Sequence, residues 1–154
     1  MSHLSQQIRA ALIARLTGLP LTGSHVAGRG HVFADGVSGA IRIFYADESR
    51  NRQPVDGPSL ATPMAVRTAA FTLESVALTS GDIDDALDAQ RLQIEPALML
   101  DRKLGGIARD LRIADGPARD TDLTGAKKSG TDTFTIEVDY LCRDASPDVS
   151  VAVA

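Results

Sequence analysis

Thr133 to Arg143, TFTIEVDYLCR, changes side-chain character at every step, and this constrains the fold more than any other stretch of the chain. Phe134, Ile136, Val138, Tyr140 and Cys142 share one side of an extended segment, and Thr133, Thr135, Glu137, Asp139 and Leu141 the other. A two-residue period describes a strand with one face on a core and one face turned away. One strand cannot cover its own apolar face, so the rest of the chain must supply a sheet and a second layer.

Two helical stretches suit that layer. In SHLSQQIRAALIARLTGLP, residues Leu4, Ile8, Ala11, Leu12 and Leu16 form one stripe, with Ser2 as the expected cap and Gly18 and Pro20 as the stop. A second helix is expected from Asp82 to about Leu104, burying Ile83, Leu87, Ile94 and Leu98 and kinked by Pro96. Asp82, Asp84, Asp85 and Asp88 crowd its start, with Arg102 and Lys103 in its last turn, so both ends complement the helix dipole.

Further strands are expected at 40–46, 64–80 and 107–114, with an irregular or edge strand within 25–33. In the 64–80 strand Ala69, Phe71 and Leu73 oppose Thr68, Thr72 and Glu74. The pattern then slips, because Val76 and Leu78 fall on the polar side. A bulge would explain the slip, as would an outer face that meets another subunit. Residues 47–63 and 115–132 are polar, lack periodicity and read as long loops. The first of these is expected to serve a contact with another subunit rather than the fold. The sum is an α+β fold, a mixed, mostly antiparallel sheet of four to five strands packed with two main helices. It forms a single domain over 1–143, with a C-terminal tail over 144–154. Val149 and Val151 in that tail suit strand addition to an exposed edge, against the default of a disordered end.

Aromatic residues make up only 4% of the chain, so its core is mostly Ala, Leu, Ile and Val, and burial against a partner subunit would add stability. The net charge of −4 argues against a grip on nucleic acid that works by neutralising phosphates. Cys142 is the one cysteine, which excludes an intrachain disulfide and a cysteine zinc cluster. No apolar run approaches the roughly 20 residues of a membrane span, and no signal peptide is evident. The expectation is a soluble protein made in a reducing cytoplasm.

The search for chemistry finds no catalytic, cofactor-binding or metal-binding set. Gly105 and Gly106 follow a helix and precede a strand, the reverse of a phosphate loop, so they read as a corner. His25 and His31 lack a third ligand. The acidic run DIDDALD lacks calcium-loop spacing and reads as a charged helix start. No serine sits in a nucleophile elbow, and Cys142 shares the core-facing parity of the last strand.

The stretches QQIRAALIARLTGLPLTGSHV, SGDIDDALDAQRLQIEPAL, LGGIARDLRIADG and TFTIEVDYLCR resemble, in that order, parts of the tail terminator proteins of lambda-like long-tailed bacteriophages. They span a little under half of the chain, and their succession carries the resemblance. It implies a non-enzymatic virion protein without cofactors, a homo-oligomer forming a hexameric ring at the head-proximal end of the tail. Its implied partners are the tail tube protein and a neck or head-completion protein. DNA would pass through the ring without sequence-specific binding, no membrane is involved, and assembly takes place in the cytoplasm of the host bacterium. Candidate contact residues for subunit or tube are Glu48, Arg50, Arg52, Val76, Leu78, Lys127, Lys128, Val149 and Val151. The competing reading is a small module that binds nucleic acid or a small ligand through Arg50, Arg52, Lys127 and Lys128. An enzyme with its own cofactor is the third.

Overall fold

Leu4, Ile8, Leu12 and Leu16 recur at helical spacing, and in the computed structural model of the chain all four are buried on one side of helix α1, Leu4–Leu16. The structure describes residues 2–23, 25–51, 64–143 and 146–150. The cap of α1 is His3 rather than Ser2: its imidazole accepts the Ser5 N–H at 3.2 Å, doing for one orphan donor what a serine hydroxyl does elsewhere. Helix α2, Ile83–Met99, buries Ile83, Leu87, Ile94 and Leu98 as its spacing predicts, together with Gln90. Asp82 caps it by accepting the N–H groups of Asp84 and Asp85.

Helix α2 continues through Pro96 as one element. Leu92, whose carbonyl loses its partner to the proline, lies on the solvent-exposed side of the helix, where an unpaired carbonyl costs least. The helix ends earlier than its charges suggest. The Asp101 carboxylate accepts the N–H groups of Lys103 and Gly105 and folds the chain away after Met99. Arg102 and Lys103 therefore lie in the following turn, where Arg102 bonds the Leu111 carbonyl and Asp110. Gly105 and Gly106 have φ of 70° and 97°, a conformation that glycine adopts without a Cβ penalty, so the pair is a corner as expected.

The strands are β1 Val26–Ala27, β2 Gly39–Asn51, β3 Met64–Thr79, β4 Asp110–Asp122, β5 Lys128–Arg143 and β6 Ser146–Ser150. They form one six-stranded sheet in the order β1-β2-β3-β5-β4, with β6 pairing the end of β5. Among the described residues only the β1–β2 pair is parallel, so the sheet is mixed and mostly antiparallel, and the fold is α+β. Both helices lie on the same side. Leu12 and Ile94 join Ile43, Phe71, Leu73, Leu111, Phe134, Ile136 and Val138 in one core.

Three segments depart from their sequence reading. Residues 47–51 are not loop but the end of β2, which passes a bulge between Tyr45 and Asp47 and continues against β3 to Asn51↔Val66. The region after Ile113 is not a loop either. An edge strand needs no apolar alternation, so β4 runs on through two register shifts to Asp122, and β5 begins at Lys128. The slip at Val76 and Leu78 is no bulge, because β3 pairs with β5 without a break from Met64↔Arg143 to Thr79↔Lys128. On β5, Leu141 has outward parity yet is buried, beside the place where β6 pairs.

Candidate interaction surfaces

The core-facing parity of β3 and β5 carries two charges. Arg67 and Asp132 stand where an apolar side chain is the rule, and each is buried with a partner set around it. At the β6 end of the sheet, Arg67 Nη1 donates to Glu48 at 3.2 Å and the Tyr140 hydroxyl donates to the other Glu48 oxygen at 2.7 Å. Burial pushes the Tyr140 hydroxyl above the ordinary tyrosine range, and its bond to Glu48 adds to the shift. Burial also works against the charge of Arg67, but the acidic groups of Cys142, Tyr140 and Glu48 outweigh it and hold the guanidinium above its usual pKa. His3 Nε2 lies 3.4 Å from Arg67 Nη1, which ties the start of α1 to this network.

At the other end, Asp132 is 0% exposed and takes a forked pair of bonds from Arg119, Nε to Oδ1 at 2.7 Å and Nη2 to Oδ2 at 2.8 Å. Arg119 also reaches Asp84 at 2.9 Å and Asp88 at 2.7 Å on α2. The bond to Asp132, then that to Asp88, raise its pKa further above the arginine range, so it stays cationic throughout the working pH range. The acidic start of α2 is thus more than a dipole complement. It grips edge strand β4 through one guanidinium, a pairing that its spacing in sequence does not reveal.

The opposite side of the sheet is polar and half-buried, with no described helix or strand across it. Thr68, Ala70, Thr72 and Glu74 of β3 lie beside Thr133, Thr135, Glu137 and Asp139 of β5. Cross-strand bonds organise this face. Arg112 pairs with Glu137 at 2.6 Å and Asp139 at 2.8 Å, Thr68 donates to Asp139 at 2.6 Å, and Arg42 pairs with Glu74 at 3.3 Å. The Asp139 bond, with burial opposing it, leads the upward shift of Arg112.

The sequence-derived candidates fall at two separate ends of the sheet. Val76 and Leu78 lie on the outer face opposite Thr131 and Ser129, and Lys128 faces Thr79 in the same register, with Lys127 before it in the turn. Glu48 and Arg50 lie near the far end of β2, opposite Ala69 and Arg67, with Glu48 turned inward into the Tyr140 network. Val149 belongs to β6, also at that end. Arg52 and Val151 lie outside the described residues, as does the rest of the 52–63 segment. Twelve residues of β3 separate Arg67 from Thr79, about 40 Å at the usual strand rise. Arg50 and the lysine pair therefore do not converge on one ligand, which weighs against the basic-module reading.

His25 and His31 both pack edge-on against Phe33, with ring centres 6.4 and 5.0 Å away. Among the described residues no cluster of three His, Cys, Asp or Glu side chains is arranged to hold a metal ion, and no helix is long and apolar enough to cross a membrane.

No protein-family model and no curated protein matches the chain. Solved structures do resemble it. One, of a protein described without a function, aligns with a TM-score of 0.50 and 16% identity over 90% of this chain and 96% of its own. A chain from the virion of a native gene transfer agent particle aligns at a TM-score of 0.37 and 15% identity, over 89% of this chain and 92% of that one. The sheath/tube terminator of an extracellular contractile injection system, in its extended state, gives 0.45 and 15%, over 97% of this chain and 61% of that one. At such identities the first likeness concerns the fold alone, and the other two are more distant in shape.

Proposed function

We propose that this chain is a structural subunit of a phage-type tail, a terminator that closes the tail tube as a six-membered ring at the head-proximal end. The observation that carries the reading is the succession of terminator-like stretches. They coincide in order with α1 and the turn after it, with α2, with the glycine corner and β4, and with β5. A terminator must meet the tube on one side and a neck or head-completion protein on the other. The separation of Val76, Leu78, Lys127 and Lys128 from Arg50 and Val149 suits such a two-ended contact. Tube subunits stack head to tail and continue until something different occupies the open end. A subunit that binds that end and repeats no equivalent surface stops growth by occupancy, with no catalysis or cofactor. DNA would pass through the ring without base-specific contact.

The test is a phage that lacks this protein. Its tails should be of abnormal, mostly excessive length and should not join heads, and added purified protein should cap them in a concentration-dependent way without a cofactor. Normal tail length and head joining in its absence, seen by electron microscopy, would refute the assignment.

A further inference from the structure

Helix α2 carries a second apolar stripe, on the side away from the core. Ile83, Leu87, Ile94 and Leu98 face inward, whereas Ala89, Pro96 and Leu100 fall two positions after Leu87, Ile94 and Leu98, about 200° around the helix at 3.6 residues per turn, with Leu92 and Met99 beside them. Leu92 is 77% and Leu100 80% exposed, and Pro96 and Met99 are exposed with them. A surface helix normally sets charge opposite its core stripe, and a contiguous exposed apolar stripe marks an interface.

The ends of this stripe identify what covers it. Asp85 stands on the same side near its start and Lys103 in the turn just past its end, both exposed. Among the described residues neither the Asp85 carboxylate nor the Lys103 ammonium has a hydrogen-bond or ion-pair partner. The outward seam thus runs from an unpaired acid through leucine, proline and methionine to an unpaired base. Such a seam is complementary to itself when reversed.

We propose that two copies of this chain pair through α2 in antiparallel fashion. Asp85 of each faces Lys103 of the other, Ala89 meets Met99, and Leu92 meets Pro96 about a two-fold axis. Parallel pairing is disfavoured by the same charges, since it sets Asp85 against Asp85. The contact is isologous and closes at two copies, so it is separate from any head-to-tail ring contact and does not depend on the terminator reading.

Cysteine pairing with light scattering tests this. Asp85→Cys protein mixed with Lys103→Cys protein should form a disulfide-linked dimer under mild oxidation, whereas Asp85→Cys alone should not. The antiparallel arrangement holds its two copies more than about 20 Å apart along the axis, since the helix alone runs 14 residues from Asp85 to Met99 at 1.5 Å each. Leu92→Glu/Leu100→Glu, altered only on the exposed side, should keep the wild-type circular dichroism and halve the particle mass. Asp85→Lys should weaken association on the order of tenfold, because symmetry removes two pairs at once, and Asp85→Lys/Lys103→Asp should restore it. A Leu92→Glu/Leu100→Glu mass equal to wild type, a self-linked Asp85→Cys dimer, or no link in the mixture overturns the proposal.

Discussion

Arg119→Met should cost about 3 kcal/mol, and the magnitude follows from what the substitution leaves behind. Asp132 is fully buried at a core-facing position, and both of its carboxylate oxygens bond Arg119. Removing one member of a buried ion pair costs about 3–5 kcal/mol, because the remaining charge is stranded. The Arg119 side chain is itself 25% exposed, so water gains some access once it is gone, which favours the lower end of the range. Asp84 and Asp88, at 66% and 62% exposure, add little, since solvent screens exposed pairs to below about 1 kcal/mol. For a chain of this size, 1 kcal/mol shifts the melting temperature by about 2–4 °C, so Arg119→Met should melt about 6–12 °C lower. Arg119→Met/Asp132→Val removes the stranded charge and should recover most of that loss. Thermal and urea unfolding followed by circular dichroism measure both variants. If Arg119→Met loses under 1 kcal/mol, or if the double variant is as unstable as the sum of the two singles, the buried pair does not hold edge strand β4 to β5.

Three other outcomes follow from single sites. Burial raises the pKa of both tyrosines, Tyr45 and Tyr140, above 10.0. Their stabilising contribution is therefore complete below pH 10 and is lost as pH rises through the folded values. Tyrosinate absorbance should lag in the folded protein and rise with alkaline unfolding, and full ionisation near pH 10 without unfolding would contradict this. The Gly105 N–H, followed by the Lys103 N–H and Arg15, holds Asp101 below the ordinary aspartate value of 3.8. Its contribution is present above that value and fades as pH falls through the lowered one, so Asp101→Asn should melt below wild type at neutral pH and converge with it in acid. A Cβ on Gly39 would strike the Leu21 carbonyl and the Gln90 amide, so Gly39→Ala should lose about 1–3 kcal/mol in urea unfolding, and an unchanged midpoint would show that the loop yields.

Periodicity made the layers legible because it records burial. The stripes of α1 and α2 and the inward residues of β5 bury as read, since each of those elements has one face on a continuous core. Strand β4 was not legible for the same reason turned round. As an edge strand beyond Ile113 it leaves Ala114, Asp115 and Ala118 exposed, and the Gly116-Pro117 pair reads as a turn although the ladder resumes at Ala118↔Thr133. The polar pairs were hidden because their members come from different elements, Arg119 and Asp132 on opposite sides of a hairpin and Glu48 and Tyr140 92 residues apart.

One signal was nonetheless in the letters. Extending the parity of Phe134 back two residues puts Asp132 on the core face, and extending that of Ala69 does the same for Arg67. A charge at core parity in a clear strand demands a buried counter-charge, because an unpaired one is too costly to keep. For Asp132 the nearby cations were Arg119, Lys127 and Lys128. A buried pair favours a planar fork over a point charge, which selects the arginine. Once Arg119 must reach inward, the segment around it has to lie alongside β5, and the polar stretch that looked like a loop becomes a strand.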